Sequence, residues 1–243
     1  PNCNLKAINS HILQKNGILS SIAEHGHLMH MEINQFREPF HFFNRIGINE
    51  AFSFMCFCSE HDSSLFKEIE SGSINFSTYR TFLLFTLRTI YNEKFRKQVN
   101  LKMYDCLIQK EKDEALINYI KEMSEQESIG LNDICKIETN IWKDLDIKSE
   151  SFIFLTRKVK LKEVCLSSFY NYDTTAELYS YKRIHGKDKE DVNTIYINFF
   201  PYNGYSILIM GYKKDSPKSV SNYVSDFFTC KSEKLEIKII SQA

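Results

Sequence analysis

The apolar rhythm of the chain changes twice, and the changes mark out three regions. Up to about residue 75 the apolar runs are short. Residues 16–24 read as a helical turn, 28–33 as a strand and 51–57 as a second strand. Over 62–70, Leu65, Phe66 and Ile69 fall on one face of a helix. From residue 76 the period becomes helical. Ser77 is a candidate N-cap, and Leu83, Leu87, Ile90, Tyr91, Phe95, Val99, Met103 and Leu107 recur at helical spacing. That pattern predicts a helix of about 30 residues, roughly 45 Å long. A second helix is expected over 112–126, ending before Gly130, and a third over 132–145. Their Leu, Met, Phe and Tyr positions read as the core of an antiparallel bundle.

Past residue 147 the period drops to two. Residues 152–159 and 163–169 read as strands. The segments 194–200 and 205–212 form a hairpin, with Asn203-Gly204 supplying the turn. Residues 220–228 and 232–240 read as helices packed on that sheet. The charged stretch 182–191, which contains Gly186, reads as an exposed loop. The fold class expected is α+β, with regions 1–75, 76–147 and 148–243.

Composition narrows the functions open to such a chain. The 243 residues carry 31 basic and 31 acidic side chains. No global field draws nucleic acid or an anionic membrane, so a nucleic-acid contact needs a local patch. Two patches qualify. Arg88, Lys94, Arg96, Lys97 and Lys102 form either a phosphate-facing stripe or the charged outer face of a bundle helix. Arg157, Lys158, Lys160 and Lys162 form either a basic ridge or the protection of an edge strand. No apolar run is long enough to span a membrane, and the opening residues carry no secretory pattern. Cys106, Cys135, Cys165 and Cys230 stand singly among apolar residues. They read as buried free thiols in a reducing compartment, which points to the cytoplasm. Glycine-rich phosphate loops and a Gly-x-Ser-x-Gly elbow are both absent.

The densest chemistry lies near the start. Cys58 and His61 have the Cys-x-x-His spacing of a zinc knuckle, in which a tight turn aims two side chains at one ion. Cys3 and, shortly after it, Ser10 and His11 precede them. A tetrahedral site needs four donors. Cys3, Cys58 and His61 supply three. The fourth is open between Cys56, two residues before Cys58 on the same strand face, and a cysteine upstream of Pro1. His25, His27 and His30 are weaker candidates. The competing reading makes Cys58 a core thiol and His61 a solvated side chain. A thiol nucleophile drawn from Cys56 or Cys58 with His11 is a third reading, which the metal-ligand spacing disfavours.

The order of these residues resembles the HNH, or ββα-metal, endonucleases. Cys3 would belong to a first knuckle, residues 7–13 to a strand carrying Ser10 and His11, and Cys58 and His61 to a second knuckle. The resemblance covers about the first 70 residues. It implies a small zinc-bound treble-clef module and a nuclease-like activity in a bacterial defence or conflict setting. It also implies His11 as the general base and a second divalent ion, such as Mg, on the scissile phosphate. Asp62 is the candidate for the metal-side group. Ser10 stands where that family usually has Asp, and the interval from His11 to Cys58 is long. The segments 7–11 and 47–70 are also similar to a set of uncharacterised bacterial proteins with an SH…CxxHD…LFxxIE pattern, a likeness that implies no activity. The alternative to a nuclease is a non-catalytic module, stitched by zinc, that binds a partner protein or nucleic acid.

Overall fold

The computed structural model describes residues 3–33, 41–160, 162–172 and 192–241. Strand β1 (Ala7–His11) pairs antiparallel with β4 (Ser53–Cys58). Between them in sequence, β2 (His27–Ile33) and β3 (His41–Gly47) make a separate two-stranded ribbon. β3 has no counterpart among the expected elements. Two short helices follow β4, α1 (Ser59–Leu65) and α2 (Lys67–Glu70), where one helix over 62–70 is expected; the chain breaks at Phe66. Phe66 is fully buried and caps the end of the first helix.

Two long helices form the middle, α3 (Tyr79–Lys110) and α4 (Glu114–Ile147). The cap of α3 is Thr78, one residue beyond the expected Ser77. Its hydroxyl accepts the amide of Thr81 at 3.2 Å, whereas Ser77 is bonded to Asn75. The second and third helices expected from the pattern are one 34-residue helix running through Gly130. Gly130 is a contact residue and not a stop. A Cβ there would stand 3.0 Å from Cε of Lys97, so glycine admits the side chain of the facing helix. Two cations of α3 face its partner: Lys94 pairs with Glu138 and Lys97 with Glu127. These two belong to the seam between the helices, whereas Arg96 pairs with Glu93 of its own helix.

The C-terminal sheet has the order β5-β8-β7-β6, all antiparallel, from β5 (Phe152–Lys160), β6 (Leu166–Asn171), β7 (Thr194–Tyr202) and β8 (Tyr205–Lys213). The turn between β7 and β8 places Asn203 at φ 49° and Gly204 at φ 79°. Both are left-handed, as a two-residue hairpin turn requires. Helices α5 (Lys218–Thr229) and α6 (Ser232–Ile240) close one face of the sheet. The charged stretch expected as a loop at 182–191 lies outside the described residues.

The core explains how these pieces hold together. One cluster of buried side chains runs from Ile12 and Phe54 through Leu84 and Leu87 to Phe200 and Ile209. It joins the N-terminal region, both long helices and one face of the sheet. A second cluster, with Ile197, Met210, Val224 and Phe227, fills the other face under α5 and α6. Strands β7 and β8 are therefore buried on both sides, which is why they read as nearly continuous apolar runs. The amide of Ile74 donates to the hydroxyl of Tyr202 at 2.7 Å and ties the entry to α3 onto the sheet. The α+β class, the helical middle and the antiparallel sheet with helices are all present. No helix among the described residues is long and apolar enough to cross a membrane.

Candidate metal centre and the adjoining ion-pair cluster

Pairing of β1 with β4 sets up the centre. Ala7 lies opposite Cys58, so the segment just before β1 runs beside the end of β4. That brings Cys3 within reach of Cys58, and the two sulfurs are 3.6 Å apart. The chain then turns directly into α1. Cys58 is the N-cap of α1, and its sulfur accepts the backbone amide of His61 at 3.4 Å. The same turn puts Nδ1 of His61 3.0 Å from that sulfur. One donor atom each from Cys3, Cys58 and His61 thus lie within 4.8 Å of one another. This group is close enough to hold one metal ion, and it is the only such group of three or more His, Cys, Asp or Glu among the described residues.

The electrostatics suit a ligand. The amide of His61 holds the Cys58 thiol below its ordinary range, although burial works the other way. A lowered thiol supplies the thiolate that binds metal. Cys56 behaves differently and stands outside the group. It packs against the apolar core, and burial pushes its thiol up to about 12. Shared strand parity between Cys56 and Cys58 does not bring it into the group of three donors. Cys58 meets Cys3 and His61 because it stands where β4 ends and α1 begins, and Cys56 lies one pleat back. His25, His27 and His30, on and just before the β2 strand, are likewise not part of the group.

His11 sits at the opposite end of β1 from the metal group. Four residue steps from Ala7 amount to about 13 Å along a strand. Its Nε2 is 3.2 Å from the carbonyl oxygen of Ile48. A carbonyl only accepts, so Nε2 carries the proton and Nδ1 keeps its lone pair. Burial is the main reason that the imidazole titrates below its ordinary value. Lys15 and Arg88 lower it further, while the Ile48 hydrogen bond and Asp62 act in the opposite sense.

Asp62, the residue after His61, takes part in a cluster that sequence reasoning did not assemble. Arg88 of α3 is fully buried. Its Nη2 lies 2.6 Å from Glu70 of α2 and 3.5 Å from Asp62 of α1. The guanidinium carbon stands 4.1 Å from the centre of the Phe66 ring. Asp62, Phe66 and Glu70 thus converge on one cation, and Ile69 enters the core beside them. Asp62, Phe66, Ile69 and Glu70 of the HD…LFxxIE stretch each take a place in this cluster or the core beside it. A signal for Arg88 was present: it lies in the run 81–90, whose other residues are all Thr, Leu, Phe or Ile. An Arg in such a run is buried only when paired. Asp62, the candidate for the metal-side group, lies 3.5 Å from Nη2 of Arg88.

Comparison of the chain with protein-family models, curated proteins and solved structures returns no match.

Proposed function

We propose that the N-terminal region is a zinc-stapled ββα unit acting on the phosphodiesters of nucleic acid, with His11 as general base. The observation that carries this reading is the state of His11. Its Nε2 proton is directed to the carbonyl of Ile48, and burial keeps the ring neutral near pH 7. Nδ1 is then free to take a proton from an attacking water, a contribution worth about 10²- to 10⁴-fold in rate. The order of β1, β4 and α1, with ligands before the first strand and at the start of the helix, supports the ββα comparison. Two thiols and an imidazole are a donor set suited to zinc, which takes one further donor to become tetrahedral. The ion would hold the start of β1 against the start of α1, and its distance along the strand from His11 makes that role structural.

A second reading has its own support. Asp62 and Glu70 both face Arg88, so these two carboxylates serve to anchor α1 and α2 on α3. That favours a non-catalytic module that binds nucleic acid or a partner protein. The two readings part on one experiment. Purified protein is incubated with single- and double-stranded DNA and RNA, with and without added Mg²⁺. The catalytic reading expects cleavage that falls at least about 100-fold in His11→Ala, with circular dichroism and metal content unchanged. If wild type and His11→Ala are equally inert on every substrate, the catalytic reading fails.

A further inference from the structure

We propose that Cys3 and Cys58 are an oxidisable pair, which a hydroperoxide joins as a disulfide with release of the ion that they hold. The release half rests on the zinc reading above; the disulfide half stands on the sulfur geometry alone. The two sulfurs are 3.6 Å apart, and a disulfide brings them to about 2.05 Å. Only one partner has to move. Cys58 is buried and held between strand β4 and the first turn of α1. Cys3 is exposed and precedes β1, outside any strand or helix. A short displacement of the N-terminal segment closes the gap.

Exposure also sets the order of steps. The Cys3 thiolate attacks one peroxide oxygen. The O–O bond breaks, a sulfenic acid forms on Cys3, and hydroxide leaves. The Cys58 thiolate then attacks the Cys3 sulfur. The S–S bond forms as the S–O bond breaks, and a second hydroxide leaves. The two sulfurs together lose two electrons, which the peroxide gains, and two protons convert the hydroxides to water. The metal is not oxidised. It departs as the divalent ion because two of its three side-chain ligands have become a disulfide. His61 is freed, while the N-terminal segment stays joined to the end of β4 by a covalent bond. The pair therefore exchanges one cross-link for another according to the oxidant level.

The remaining cysteines provide internal controls. Cys56 and Cys165 pack against one core cluster and Cys230 against the other, and Cys106 and Cys135 are exposed on α3 and α4. The test uses the full chain loaded with zinc and treated with hydrogen peroxide. Zinc release is followed with a chromogenic chelator, and linked peptides are mapped by mass spectrometry after alkylation. The expected result is zinc release in step with a Cys3–Cys58 linked peptide, both reversed by dithiothreitol. The Cys3→Ser variant should form no such link, and a Cys106→Ser, Cys135→Ser double variant should behave as wild type. A chain that binds zinc yet shows irreversible oxidation at Cys3 without a link overturns this proposal and leaves the zinc reading standing. A chain that takes up no zinc but forms the link overturns the zinc reading and supports the disulfide.

Discussion

Arg88→Met tests whether the ion-pair cluster is what fastens the N-terminal region to the long helices. Methionine keeps much of the aliphatic volume beside Phe66 and removes the charge. Removing one partner of a buried pair costs about 3–5 kcal/mol, because the other charge is left uncompensated. The two carboxylates do not share that cost equally. The Glu70 side chain is 34% exposed and can turn to water. Asp62 is 14% exposed and has less freedom to do so. The expected loss is therefore at the lower end, about 3 kcal/mol. For a chain of this size each kcal/mol moves the midpoint by about 2–4 °C, so the melting temperature should fall by roughly 6–12 °C. Thermal and urea unfolding at pH 7 would measure it. Adding Asp62→Asn to Arg88→Met removes the stranded charge and should recover about 1–2 kcal/mol, a coupling that a double-mutant cycle reads directly. An Arg88→Met chain within about 1 kcal/mol of wild type would refute the reasoning. So would an Asp62→Asn change that deepens the loss.

Three further outcomes follow from other parts of the molecule. Asp144, near the end of α4, accepts from Ser149, Tyr79 and both the amide and hydroxyl of Ser151, so Asp144→Ala should cost about 3 kcal/mol in urea unfolding. Burial pushes its carboxyl up, but those donors outweigh it and the group titrates below 3.8. Its contribution is therefore complete above about pH 4 and lost as pH falls through the folded value; the acid-unfolding limb should flatten in Asp144→Ala. Gly130→Ala sets the helix-propensity gain of about 1 kcal/mol against a contact with the flexible end of Lys97; a small net gain in melting temperature is expected, and a clear loss would mean that the α3–α4 spacing cannot give. Any activity that uses His11 as a base should decline as pH drops through a midpoint below 6.5, since the deprotonated ring is the working form; a midpoint above 6.5 would assign that limb to another group.

The elements whose stability is local were legible in the chain. Asn203-Gly204 marks a turn because its backbone must enter the left-handed region at both positions, a property of those two residues alone. The helical period of α3 and the nearly continuous apolar runs of β7 and β8 likewise belong to neighbouring residues. Cys58 and His61 are three apart and meet through one tight turn, so their pairing was readable as well. Gly130 was misleading because glycine weakens a helix by propensity and serves this one by contact; only the position of Lys97 separates the two.

What remained to the tertiary structure was the choice of partners between distant segments. The long segment between β1 and β4 hides their pairing from any local pattern, yet that pairing carries Cys3 to Cys58. It also leaves Cys56 in the core, although Cys56 is nearer in sequence to Cys58. The cation that gathers Asp62 and Glu70 comes from another helix. The chain by itself thus determined most of the elements, the α+β class and the three residues, Cys3, Cys58 and His61, whose donor atoms meet. The structure decided which residues meet, because local periodicity is set by bonded neighbours, whereas contacts between segments are set by the packing of the shared core.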